Sequence, residues 1–92
     1  MSASLSFVIK HFTTPDFWQL YNALPEEIRA LADKRYELLK VNSAHPSLRF
    51  KNIEDLWSVR VGSHYRALGK MRTEGLFWFW IGPHGEYDKF MP

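Results

Sequence analysis

The chain has 92 residues and a formal net charge of +2, which suits one small domain with a single core. It contains no cysteine, so disulfide staples and thiolate metal sites are excluded. Its longest apolar run, Leu76 to Ile81, is too short to span a bilayer. No basic cluster followed by a long apolar stretch opens the sequence, so no secretory signal is expected and the expected location is the cytoplasm. A hydrophobic fraction of 46% and an aromatic fraction of 16% are enough for a packed core. Residues 42–92 hold seven Lys/Arg against five Asp/Glu, while residues 1–41 hold five of each. This mild basic surplus permits nucleic-acid contact without requiring it.

Leu5 to Phe12 reads as a short first strand ending at Thr13-Thr14. Thr14-Pro15-Asp16 is a helix start, with a hydroxyl cap, proline at the first helical position and an acid in the first turn. The first helix runs from Pro15 to about Asn22. Leu24-Pro25-Glu26-Glu27 opens a second helix. Its apolar stripe is Ile28, Leu31, Ala32, Leu38 and Leu39, with Arg35 interrupting. Asn42 to Pro46 ends it, because the residue before proline disfavours helix.

The period then changes. Leu48 to Ile53 alternates apolar with polar, Leu56 to Val61 is β-branched and aromatic, and Gly62-Ser63-His64 is a turn. Tyr65 to Met71 is a further strand, Thr73-Glu74-Gly75 a second turn, and Leu76 to Ile81 the central strand. Consecutive hairpins make an antiparallel meander. The expected architecture is therefore α+β: two N-terminal helices packed on one face of a small antiparallel sheet, with residues 1–92 as one domain.

A turn centred on Ser63 sets Val61 opposite Tyr65 and Arg60 opposite Arg66. Like charges facing each other destabilise a sheet, a conflict that an anion between them resolves. A turn centred on Glu74 pairs Lys70 with Trp78 and sets Arg66 beside Gly82. In a regular last strand Trp78 and Trp80 share a face. Beyond that strand, Pro83-His84-Gly85-Glu86-Tyr87-Asp88 brings a histidine, which titrates near neutral pH and moves protons. A histidine and a tyrosine close to two arginines suit cleavage of RNA without a metal. Glu86 and Asp88 read as surface acids. His11, His45 and His64 lack metal-ligand spacing. Neither a Gly-rich phosphate loop nor a Ser-His-Asp signature is present.

The segments LRFKNIEDLWSVRVGSHYRALGKM and LFWFWIGPHGEYDKF, following a helical hairpin, resemble the RelE/ParE superfamily of bacterial toxins. The WSVRVGSHYRAL hairpin and the WIGPHGEYDK ending carry the likeness most firmly, and the ending looks most like the RelE- and HigB-type members. Pro83 departs from the smaller residue expected before the histidine. The resemblance implies a compact toxin of a type II toxin–antitoxin pair, held inactive by a cognate antitoxin. It implies a metal-independent mRNA endoribonuclease without cofactor, acting on free or ribosome-bound mRNA. The alternatives are a ParE-type inhibitor of DNA gyrase and a non-catalytic member that only binds a partner. Lys51 matches the basic residue before the first long hairpin, Arg60 and Arg66 the sheet arginines, and His84 and Tyr87 the C-terminal acid–base candidates. Such an enzyme takes a proton from the ribose 2′-hydroxyl, stabilises charge on the phosphate and protonates the departing 5′-oxygen. In that scheme Arg60 and Arg66 hold the phosphate and Lys51 a flanking one, while His84 and Tyr87 serve proton transfer or stacking.

Overall fold

The computed structural model describes residues 9–90. The first strand, β1, spans His11–Thr13; the part of the expected strand from Leu5 to Val8 lies outside the described residues. Helix α1 is Pro15–Asn22. Thr14 Oγ1 accepts the Phe17 N–H at 3.2 Å, satisfying one of the donors that a helix start leaves open. The same hydroxyl donates to the Trp78 carbonyl at 3.3 Å. The cap therefore also anchors α1 to the sheet.

Helix α2 is Glu26–Val41. Glu26 and Glu27 in its first turn suit the positive end of the helix dipole. Leu39 is its buried residue, and Ile28, Leu31, Ala32 and Leu38 pack around the core from the same stripe. Arg35 does interrupt that stripe: its Nε is buried and has no hydrogen-bond partner among the described residues.

Four further strands follow: β2 (Lys51–Ile53), β3 (Leu56–Val61), β4 (Tyr65–Arg72) and β5 (Gly75–Pro83). The expected strand from Leu48 is shorter. Pro46–Leu48 forms a 3-10 turn capped by His45, and Arg49 stops it in a left-handed conformation with φ 44°. Extended pairing begins only at Lys51.

The sheet order is β1-β5-β4-β3-β2. Strands β2 to β5 form the expected antiparallel meander. The sheet as a whole is mixed, because β1 joins the far side of β5 in parallel. A parallel neighbour needs a long return path, which the two helices and the meander supply. Gly75 is the close contact of this join. With φ 152°, a Cβ there would lie 2.4 Å from the Lys10 carbonyl oxygen, which accepts the Leu76 N–H at 2.9 Å. Both edge strands have three residues, and short edges offer little template for pairing with another chain.

The register matches the expectation near the first turn: Val61 faces Tyr65 and Arg60 faces Arg66. Along the second hairpin it differs. Arg72 faces Gly75, and Lys70 therefore faces Phe77 rather than Trp78. The register shifts between Leu68 and Gly69, whose partners are Trp80 and Trp78, leaving Phe79 as the extra residue of a β-bulge. Beyond the bulge Arg66 does face Gly82. The bulge also separates the two tryptophans. Trp78 packs with Leu39, Val59 and Ile81 under the helices, whereas Trp80 packs with Leu68 and Tyr87 on the opposite face.

Candidate functional site

Register places a row of three positions at one end of the sheet: Arg60 on β3, Arg66 on β4 and Gly82 on β5. Arg66 is only 7% exposed. Its Nη1 donates to the Oγ of Ser58, itself buried, at 2.8 Å. Arg60 is half-buried, and its Nε donates to the Gly62 carbonyl at 2.9 Å, which turns the rest of the guanidinium fork free for another acceptor. Among the described residues neither arginine has a carboxylate within ion-pair distance; Asp55 sits instead 3.9 Å from Lys70. Burial lowers the Arg66 pKa, the phenolic group of Tyr87 opposes that shift, and the charges of Arg60 and Arg49 lower it further. A guanidinium stays charged in proteins regardless. A buried cation without a counter-charge costs stability, and an anion in this corner relieves that cost.

The arginine missed in the sequence is Arg49. Its charge acts on Arg66, yet it comes from the turn before β2 rather than from a strand. The left-handed backbone at this position is unfavourable for a side chain that is neither Gly nor Asn. A non-Gly residue before an apolar-polar alternation carries no sign of that geometry. The charge of a third arginine thus reaches a pair that the sequence suggested alone.

After Pro83 the chain does not continue as a loop. It forms one helical turn, α3 (His84–Tyr87), followed by a 3-10 turn over Asp88–Phe90. The His84 N–H donates to the His64 carbonyl at 2.7 Å, pinning α3 to the β3–β4 turn. His84 itself is exposed. Its ring lies 5.3 Å from that of Tyr87, centroid to centroid. Tyr87 is 4% exposed, and its ring carries the Arg66 guanidinium at 5.0 Å from the centroid, a cation–π distance. Its hydroxyl is buried with no hydrogen-bond partner among the described residues, an unusual state for a phenol in a folded protein. Gly82 makes room for this packing. A Cβ there would lie 2.7 Å from the Trp80 indole, which packs with Leu68 and Tyr87 beneath Arg66.

Lys51 lies on the same face but one row away, opposite Ser58; its side chain is exposed. It flanks the cluster rather than forming part of it. Glu86 and Asp88 are exposed. Among the described residues no group of three His, Asp or Glu side chains is placed to hold a metal ion, and no helix is long and apolar enough to cross a membrane. A concavity of about 170 Å³ lies between the helices and the sheet, lined mainly by apolar side chains such as Phe17, Leu39, Val59 and Trp78. It brings together none of the residues expected to do chemistry.

No protein-family model matches the sequence, and no curated protein matches it either. Solved structures do. The RelB–RelE antitoxin–toxin complex of Methanococcus jannaschii superposes with a TM-score of 0.66 at 18% identity, covering 88% of this chain and 99% of that one. A mutant of Escherichia coli toxin RelE in the free state gives 0.65 at 12% identity, over 89% and 90% of the two chains. The archaeal RelE–RelB complex of Pyrococcus horikoshii gives 0.61 at 15% identity, over 86% and 98%. Across nearly its whole length, this chain has the fold of the RelE toxins.

Proposed function

We propose that this chain is the toxin of a toxin–antitoxin pair and cleaves mRNA without a metal, by attack of the ribose 2′-hydroxyl on the adjacent phosphate. One observation carries the reading: Arg60 and the buried Arg66 face each other across two strands and, among the described residues, have no carboxylate partner, beside a buried tyrosine hydroxyl that has no partner either. The fold supports it, since the similar structures are RelE toxins and complexes of RelE with RelB. A cognate antitoxin is the matching partner here.

The chemistry follows from charge. Attack of the 2′-oxygen on phosphorus forms one P–O bond and breaks the bond to the 5′-oxygen. Negative charge builds on the non-bridging oxygens meanwhile, and preorganised guanidinium forks stabilise that charge most where water is excluded. Arg66 is buried and needs no reorganisation to do so. His84, exposed at the rim, takes the 2′-proton or returns one to the 5′-oxygen. The Tyr87 hydroxyl is an available donor to the phosphate or the leaving oxygen. Lys51 holds a neighbouring phosphate. DNA lacks the attacking hydroxyl, so RNA is the substrate.

The test is expression of the chain alone, with and without Arg60→Ala and Arg66→Ala together. The expected result is growth arrest by the wild type, relieved by a small neighbouring antitoxin. RNA should carry 2′,3′-cyclic phosphate and 5′-hydroxyl ends, and the double variant should be harmless. Growth arrest by the double variant, 5′-phosphate ends or chelator-sensitive cleavage would each refute the proposal. Arrest with altered DNA supercoiling and intact RNA would place the chain with the gyrase inhibitors instead.

A further inference from the structure

The bulge at Phe79 has a consequence on the open face of the sheet. It turns Phe79 to the same side as Trp80, where Phe79 packs at the edge of the Leu68–Trp80–Tyr87 cluster. Phe79 contacts Phe90 edge-on at 6.2 Å between centroids, and Phe77 stacks on Phe12 at 4.7 Å with the rings 16° from parallel. Phe12 and Phe90 remain 37% and 39% exposed. A shallow groove runs beside these rings, bordered by Phe77, Phe79, Lys70 and Arg72, with Thr14 and Glu74 also at its wall. Lys70 is held only loosely, 3.9 Å from an exposed Asp55. Arg72 is exposed and has no ion-pair partner among the described residues.

This groove shares its sheet face with the arginine corner, and the buried Leu68–Trp80 pair, packed against Tyr87 and Phe90, stands between them. Arg66 and Lys70 both stand on β4 and, four residues apart, on the same face; at strand rise that is about 13 Å. A cation cluster at one end, aromatic faces between and two cations at the other end match a single-stranded polyanion with stackable bases. A partner helix would call for an unbroken apolar stripe instead. Resting on the RNA reading above, we propose that the Phe77–Phe79 groove is a subsite for the nucleotides flanking the scissile phosphate. Phe79 and Phe77 stack their bases, and Lys70 and Arg72 hold their phosphates.

The experiment measures binding of uncleavable 2′-O-methyl RNA to the folded chain. A dinucleotide that fills only the arginine corner is compared with an oligonucleotide long enough to reach Arg72. The wild type binds the longer RNA more tightly. Phe79→Leu keeps apolar packing but removes the stacking face, and it weakens the longer RNA by about 5- to 150-fold while leaving the dinucleotide unchanged. Phe12→Leu, at a more exposed ring, weakens it in the same direction. Lys70→Ala with Arg72→Ala lowers the slope of log affinity against log salt by about 1 to 2 for the longer RNA only. Equal wild-type affinity for the two RNAs overturns the subsite while leaving the arginine corner intact. So does an unchanged longer-RNA affinity in Phe79→Leu, or a Phe79→Leu defect confined to antitoxin binding. Failure of the wild type to bind either RNA removes the nuclease reading and the subsite together.

Discussion

The two faces of the sheet are built from the same strands and solve opposite problems. Under the helices lie Val59, Val61, Ala67, Leu76, Trp78 and Ile81, buried and apolar. On the other face the same strands present Ser58, Arg60, Arg66, Leu68 and Trp80, with α3 and the segment after it as the cover at one end. The first face gains stability by removing apolar area from water. The second gives some of that up to hold a buried guanidinium that, among the described residues, has no counter-charge. On the proposed reading, the difference assigns stability to one strand face and chemistry to the other.

The largest effect expected is on the open face. His84→Ala should lower RNA cleavage by about 10²- to 10⁴-fold, the usual contribution of general acid–base catalysis. Its melting temperature should stay close to wild type, because the side chain is exposed. Single-turnover cleavage and thermal denaturation on the same preparation check both halves. A matching drop in stability would mean that His84 holds the fold rather than the chemistry.

On the covered face the balance reverses. Leu76 is fully buried, so Leu76→Ala should destabilise by about 2–5 kcal/mol, read from urea denaturation. RNA affinity per folded molecule should be unchanged. A selective loss of RNA binding would break the separation of the faces.

Arg66→Met sharpens the comparison from the other side. A buried cation replaced by an apolar side chain of similar length should raise stability by about 1–2 kcal/mol. RNA binding should fall if the Arg66 fork holds a phosphate as proposed. Destabilisation by this variant would show that the hydrogen bond to Ser58 and the contact with the Tyr87 ring outweigh the cost of burying the charge.

The smallest effect concerns pH. Burial, helped by the charge of Lys40, lowers the His11 pKa from its usual 6.5, and His11 Nδ1 accepts the Trp78 Nε1–H at 3.1 Å. The unfolded chain therefore takes up a proton at higher pH than the folded one. The stability owed to neutral His11 is fully present above about pH 6.5 and is lost as pH falls towards the folded-state pKa. Melting temperatures followed from neutral to mildly acidic pH should fall, and His11→Gln should flatten the slope. An unchanged slope in that variant would assign it to other groups.

Much of this architecture is readable before folding is considered. The Thr14-Pro15-Asp16 helix start needs only local chemistry, and it is where α1 begins. The Arg60–Arg66 pairing follows from the short turn over Gly62-Ser63-His64, because a hairpin's loop length sets its register over the next few residues. The α+β layering follows from the change of period after Pro46. The tyrosine and histidine after the last strand are likewise visible as neighbours in sequence.

Other features arise only when distant segments meet. Strand β1 joins β5 in parallel across most of the chain, and no local pattern encodes a partner that far away. The bulge at Phe79 leaves no mark in an aromatic run that fits either face. Only the packing of Trp78 under the helices and Trp80 against Tyr87 decides it, and it alters the Lys70 pairing while restoring Arg66 to Gly82. Arg49, whose charge acts on Arg66, stands in a left-handed turn, a conformation that tertiary contacts must support against local preference. Sequence by itself determined the helices, the hairpin register at Ser63 and the residue types available for chemistry, because these depend on neighbours along the chain. Tertiary structure alone decided which arginine is buried, which tryptophan lies under the helices and which tyrosine hydroxyl is shut away from water, because those depend on which faces the folded chain buries together.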